Sequence, residues 1–205
     1  MLKKYFAFLK EFETREIIQQ DSLISVKWIP SPESYTTYVE IVLEPHVTPD
    51  YFKRFFTVLR TEVKNITPEC TGIRELCVEE GKYPTTVETF AFPFVSERYA
   101  VLTAYKNLDY LGTPGNHIYV ASCRGNEDKA CDEYLGKGFT KSRVLQETFL
   151  AVYHCMRKPD GRLVMAWLVE INRKGIPEWI FLKLQLLKYA SLFKGIYKVL
   201  AAQHE

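Results

Sequence analysis

The C-terminal run from Gly161 to Gln203 constrains this chain more than any other stretch. It reads GRLVMAWLVEINRKGIPEWIFLKLQLLKYASLFKGIYKVLAAQ. Leu163–Ile171 is apolar and β-branched, which predicts a strand. Asn172–Gly175 makes a turn, and Pro177 follows where a first helical turn tolerates it. About seven helical turns then continue with no internal proline. Trp179, Leu182, Leu186, Tyr189, Ala190, Phe193, Tyr197 and Leu200 recur every three and four residues, the pattern of a helix face turned to a core. Ile180, Phe181, Leu184 and Leu187 lie off that face, so the first half of the helix is apolar on more than one side. Such a helix is either deeply buried or touches something besides its own core, a ligand or a membrane.

The rest of the chain supplies what a long helix needs to cover. Leu2, Tyr5, Phe6, Leu9 and Phe12 predict an amphipathic helix over residues 2–18. Leu23–Ile29 and Tyr35–Leu43 read as strands, the second rich in Thr, Tyr, Val and Ile. Thr48, Pro49 and Asp50 start a second helix, continued by Phe52, Phe55, Phe56, Leu59 and Val63. Further strands are expected at Ile73–Glu79, Thr86–Phe92, Ser96–Tyr105, Asn116–Ser122 and Val144–Met156, with Pro159-Asp160-Gly161 as the turn before the last strand. Short connections favour an antiparallel meander. A long terminal helix buries its apolar side by lying over the concave face of such a sheet. The expected fold class is therefore α+β, a helix-grip arrangement in which a curved antiparallel sheet and a long C-terminal helix enclose an apolar tunnel. No repeat or linker divides the 205 residues, so residues 1–205 are expected to form one domain.

Composition narrows the function. A net charge of +2 without a long Lys/Arg run argues against nucleic acid as a partner. No apolar run reaches the ~20 residues that span a bilayer. MLKKYFAFLKEF interleaves charged and apolar residues and lacks a signal-peptide core. Five cysteines, an odd number at irregular spacing, suit reduced thiols and a cytoplasmic setting.

Three stretches carry a resemblance. Phe92-Pro93-Phe94-Val95-Ser96-Glu97-Arg98-Tyr99-Ala100-Val101 is similar to the pattern P-x-x-x-x-R-D-[FY]-V of START domains, the steroidogenic-acute-regulatory-related lipid-transfer family. His117–Asn126 resembles the strand that follows in that family. Glu170–Ile180, with Gly175, Pro177 and Trp179, resembles its closing motif D-x-x-G-x-[IL]-P-x-W-[LI]. The three occur in family order over nearly the whole chain, in a layout like that of phosphatidylcholine-transfer protein and the small sterol carriers. The resemblance implies a START/Bet v 1-like tunnel that holds one lipid, closed by the last helix and an omega loop. Mapped here, the gate helix is residues 176–200 and the loop is residues 106–116, in which Leu108, Tyr110 and Leu111 would contact the membrane. The lipid would meet Arg98, Ala100, Leu102 and Ala104 on one strand face, Trp167 on the last strand, and Trp179, Leu182, Leu186, Tyr189 and Phe193 on the helix. Lys183, Lys188, Lys194 and Lys198 would face anionic headgroups.

Two departures from the pattern bear on the ligand. Tyr99 stands where the motif places an aspartate after the arginine, so a buried Arg98 needs another anion or a carbonyl acceptor. Ala104 stands where many members carry a second arginine, so the polar anchor is Arg98 alone or another group such as Arg74, Glu147 or a tyrosine.

Catalytic signatures are absent. His46, His117, His154 and His204 are isolated, and no zinc-ligand spacing, phosphate loop or nucleophile elbow occurs, so neither a metal nor a cofactor is expected. The expected function is non-catalytic: a monomer that binds one lipid and transfers or senses it during transient visits to a membrane surface. Two other classes stay open. A cyclase- or aromatase-type enzyme of the helix-grip class would need a polar titratable group in the cavity, with Glu147, Arg98 and His154 as candidates. A degenerate domain with a filled interior would act as a protein-interaction module.

Overall fold

The computed structural model describes residues 1–17, 19–20, 24–30, 34–42, 54, 69–76, 85–107, 112, 116–122, 131–132, 135–172, 174–184, 192 and 195. In chain order these form α1 (Leu2–Glu13), β1 (Gln19–Gln20), β2 (Ile24–Pro30), β3 (Ser34–Val42), β4 (Cys70–Glu75), β5 (Thr85–Phe90), β6 (Arg98–Asn107), β7 (His117–Ser122), β8 (Val144–Leu145), β9 (Thr148–Arg157) and β10 (Leu163–Asn172). Residues 178–184 are helical, as are Leu192 and Gly195. Most of the expected second helix, at residues 48–63, lies outside the described residues. The chain divides into two units. Met1–Phe52, Ala104–Ser122 and Thr148–Asn172 form the first; Lys53–Thr103, Cys123–Glu147 and Arg173–Glu205 form the second.

In the first unit β10 is central. It pairs antiparallel with β3 on one side and with β9 on the other, placing Trp167 opposite both Val39 and Tyr153. Its run LVMAWLVEI is buried throughout, which explains the near-continuous apolar sequence: both faces of the strand are covered. β2 extends the sheet beyond β3, β1 beyond β2, and β7 beyond β9, all antiparallel. Helix α1 packs Tyr5 and Phe12 against one face, where Tyr38, Ile118, Val120, Leu150, Val152, Ala166 and Leu168 converge from alternate strand positions. Val39, Tyr153, Met165 and Trp167 occupy the opposite face and are also buried.

Helix α1 is shorter than the periodicity predicts. It stops at Glu13, and Thr14 closes it by donating its hydroxyl to the Glu11 carbonyl at 2.9 Å. After Phe12 come four polar residues, Glu13 to Glu16, so no apolar side chain rewards a further turn.

In the second unit β5 pairs antiparallel with β4 and with β6, and the short β8 lies parallel to the start of β6. The single strand expected over Val144–Met156 is two strands. Gln146 and Glu147 separate β8 from β9, and the break is held by a 2.7 Å bond from the Gln146 amide to the Tyr99 carbonyl. The two faces of β6 differ. Tyr99 and Val101 pack with Val87, Leu76 and Cys131 under Leu135, Phe139 and Leu145. Ala100 packs with Cys70, Phe90 and, at the edge, Leu102.

Candidate functional site: a buried guanidinium

Arg98 opens β6 just after a tight turn, in which the Val95 amide bonds back to the Phe92 carbonyl at 3.2 Å and Phe94 takes a positive φ of 64°. Its side chain is 3 % exposed. Nη1 donates to Oε1 of Gln146 at 3.4 Å, and Nη2 donates to the main-chain carbonyl of Lys174 at 3.2 Å. Nε is buried with no hydrogen-bond partner among the described residues. Among the described residues no carboxylate pairs with this guanidinium. Burial without a compensating anion pulls its pKa below the ordinary arginine value. The carbonyl acceptor that Tyr99 makes necessary is thus present, and the donor capacity is only partly used.

The turn after β10 supplies that carbonyl. Lys174 and Gly175 both adopt positive φ, 47° and 79°, an uncommon conformation for the lysine. The Lys174 ammonium is held by Oε1 of Glu147 at 2.9 Å. Arg98 and Glu147, two of the candidate catalytic groups, therefore meet at one residue, the first at its carbonyl and the second at its ammonium. The third, His154, lies in the first unit on the α1 face. Its Nδ1 meets the Tyr5 hydroxyl at 2.9 Å and its Nε2 meets Oδ1 of Asn116. Burial, with Lys158 nearby, lowers its pKa to about 4, so the ring is neutral at pH 7 and serves as a link in the packing of α1.

The other expected lipid-contact residues fall in different places. Ala100 is buried and Leu102 half-buried on the Arg98 side of β6. Ala104 lies in β6, with its side chain outside the described set. Trp167 is buried on β10 and stacks on Tyr153, with ring centroids 5.3 Å apart, and Tyr153 meets Tyr119 edge-on. Leu182 is half-buried. Trp179 is 68 % exposed, whereas Phe181 is 3 % exposed. Ile176 and Phe181 are buried and Ile180 and Leu184 half-buried, so the buried side of this helical segment is the one expected to lie off the main face. An apolar surface this wide leaves spacing unable to choose between the two sides. Leu186, Tyr189 and Phe193, and the loop residues Leu108, Tyr110 and Leu111, lie outside the described residues.

Sequence reasoning missed two features. Phe94 is fully exposed at the tip of its turn; a Pro-Phe pair outside any periodic segment was the available signal. Gln146 becomes a partner of Arg98 only because β8 and β9 separate there, and no local pattern announces that break. Among the described residues no group of three His, Cys, Asp or Glu side chains is placed to hold a metal ion, and no helix is long and apolar enough to cross a membrane.

No protein-family model and no curated protein matches the sequence. Solved structures do match the fold. Human StAR-related lipid transfer protein 5 superposes with a TM-score of 0.76 at 14 % identity, covering 100 % of this chain and 94 % of that one. Human STARD10 gives 0.72 at 11 % identity over 97 % of this chain and 79 % of that one. A STAR-related lipid transfer protein from Xanthomonas axonopodis gives 0.64 at 14 % identity over 91 % and 98 %. From end to end, with so little sequence in common, the chain has the helix-grip α+β fold of START-type lipid-transfer domains.

Proposed function

We infer that this protein binds one lipid in an apolar interior and transfers or senses it between membranes, without catalysing a reaction. The observation that carries the reading is Arg98. A guanidinium kept from water that has, among the described residues, neutral partners and one unmatched N–H favours a ligand that brings an acceptor, above all an anionic one. Ala100 and Leu102, small and apolar on the same strand face, suit the hydrocarbon that would follow such a head. The START-type neighbours share the fold that would house it.

Exchange then needs no chemistry. Apolar burial at about 25 cal/mol per Å² holds a lipid comparably well in a bilayer and in a protein interior, so transfer is nearly balanced. Contact with the membrane falls to exposed aromatic residues, Phe94 just ahead of Arg98 and Trp179 just beyond Lys174, together with Leu108, Tyr110 and Leu111. The working unit is the monomer over residues 1–205, in the cytoplasm, with no nucleic acid and no cofactor.

Native mass spectrometry of the protein purified from cells, followed by organic extraction and lipid identification, tests this. One lipid per chain, enriched in an anionic class, is the expected result. A chain that stays empty after incubation with mixed liposomes would replace this reading with that of an interaction module.

A further inference from the structure

The second unit holds a cleft that the lipid reading does not use. It has a volume of about 350 Å³, at the small end of the roughly 300–1,000 Å³ range of small-molecule sites. Thr71, Gly72, Arg74, Val87, Thr89, Glu97, Leu135, Phe139 and Arg143 line it. Register sets its position. Arg74 stands opposite Val87, and Val87 opposite Val101. Val101 and Arg98 are an odd number of residues apart on one strand, so Arg74 and the cleft lie on the face of this sheet opposite Arg98.

The wall has three parts. Val87, Leu135 and Phe139 are apolar and belong to the cluster built on Tyr99 and Val101. Thr71 donates to the Thr89 hydroxyl at 2.9 Å, and Thr89 donates to the Gly72 carbonyl at 3.3 Å, so these hydroxyl protons are spent within the wall. A Cβ at Gly72 would come within 3.0 Å of the Thr89 hydroxyl oxygen, so the glycine keeps this side close-fitting. The third part is charge. Nη2 of Arg143 is 3.1 Å from Oε2 of Glu97, Nη1 donates to the Phe139 carbonyl and the Ser142 hydroxyl, and the guanidinium sits 4.4 Å from the Phe139 ring centroid. Arg143 and Glu97 therefore cancel. Arg74, exposed at the cleft, has no ion-pair partner among the described residues, so the described lining carries one net positive charge.

We propose that this cleft binds a small amphipathic monoanion, an aryl or alkyl carboxylate, whose apolar body lies on Val87, Leu135 and Phe139 and whose carboxylate pairs with Arg74. Glu97 on the wall disfavours a second negative charge on the ligand. Arginine suits a carboxylate because its planar fork matches two oxygens at once.

Phenylpropionate is the probe, titrated into uniformly ¹⁵N-labelled protein. Saturable shifts of the Gly72, Thr89 and Phe139 amides with a dissociation constant below about 1 mM are expected. Phenylpropionamide, the same body without the charge, should bind at least tenfold more weakly, as should phenylpropionate to Arg74→Gln and Arg74→Glu. The number of bound lipids in the native mass spectrum should be the same in both variants as in the parent. That separates this site from the lipid reading, which stands or falls on its own adduct. Shifts that do not saturate, an equal response to the amide, or unchanged affinity in both well-folded variants would each overturn the proposal.

Discussion

The guanidinium of Arg98 donates to the main-chain carbonyl of Lys174, 3.2 Å away, although the two residues are far apart in sequence. The bond joins the start of β6 to the turn that leads into the C-terminal helical segment. It also fixes a charge where, among the described residues, neutral groups answer it, Gln146 being the other acceptor. A buried ion without a counter-ion is poor for stability and informative about ligands.

Arg98→Met follows from this. Methionine keeps an unbranched apolar stem, shorter than arginine's, and removes the desolvated charge together with its two hydrogen bonds, so the melting temperature should change little. Lipid extracted with the variant should lose its enrichment in anionic head groups while one apolar molecule per chain persists. A variant with the parent's lipid profile would show that Arg98 is structural. Arg98→Ala loses the same two hydrogen bonds and the packing of the stem besides, so it should be less stable than Arg98→Met by about 1–3 kcal/mol.

The exposed aromatics give a second test. Phe94 occupies a turn with positive φ, an unfavourable conformation for a bulky residue that buries nothing within the described structure. Trp179 is similarly exposed at the start of the helical segment. Partition into anionic vesicles gains about 1.5–3 kcal/mol from one large apolar side chain. Phe94→Asp and Trp179→Asp should therefore each lower co-sedimentation with phosphatidylserine vesicles by tenfold or more, with little change in stability. Unchanged partition in both would remove these residues from membrane contact.

What was legible in the sequence follows from how local each signal is. β10 could be read because a strand covered on both faces must be apolar along its length, and the turn at Asn172–Gly175 because glycine marks the positive φ it needs. Facing was recoverable from parity: Arg98, Ala100 and Leu102 share a face once β6 is a strand. The shortening of α1 was not seen, because polar residues extend a helix as readily as they end it until Thr14 caps it. The exposure of Trp179 beside a buried Phe181 could not be read, because two helix faces there satisfy the same apolar spacing. The split at Gln146 and the partners of Arg98 depend on contacts between distant segments, to which no window of sequence is sensitive.

Cys155 offers a check on the β9–β10 core. It is fully buried opposite Met165, and burial pushes its thiol up to about 12, so almost no thiolate forms at neutral pH. Cys70 and Cys131 are also buried. Iodoacetamide at pH 7.5 should leave all three unmodified in the folded protein, and urea should make them react together in one cooperative step. Rapid labelling of Cys155 before unfolding would contradict the packing described for the first unit.

His154 makes acid stability the sharpest test of that packing. Its folded pKa of about 4 lies below the ordinary value of 6.5, chiefly because burial disfavours the charged ring and secondarily because Lys158 is near. The neutral ring fits its site: Nδ1 accepts from the Tyr5 hydroxyl, and the Nε2–H donates to Asn116. Between pH 6.5 and 4 the unfolded chain binds a proton that the folded chain does not, so stability falls with acidification across that window. The contribution is complete above pH 6.5 and is lost as the pH falls to about 4, amounting to about 3 kcal/mol. Asp132 and Asp160 also titrate below their ordinary values, but those begin at 3.8, so their losses come at lower pH. Urea unfolding at pH 7, 6, 5 and 4 should show the decline in the parent. His154→Gln, which keeps a donor and an acceptor without the titration, should be less stable at pH 7 yet nearly flat over the same range. Parallel profiles for the two proteins would place the acid sensitivity elsewhere and remove His154 from the account of how α1 is held.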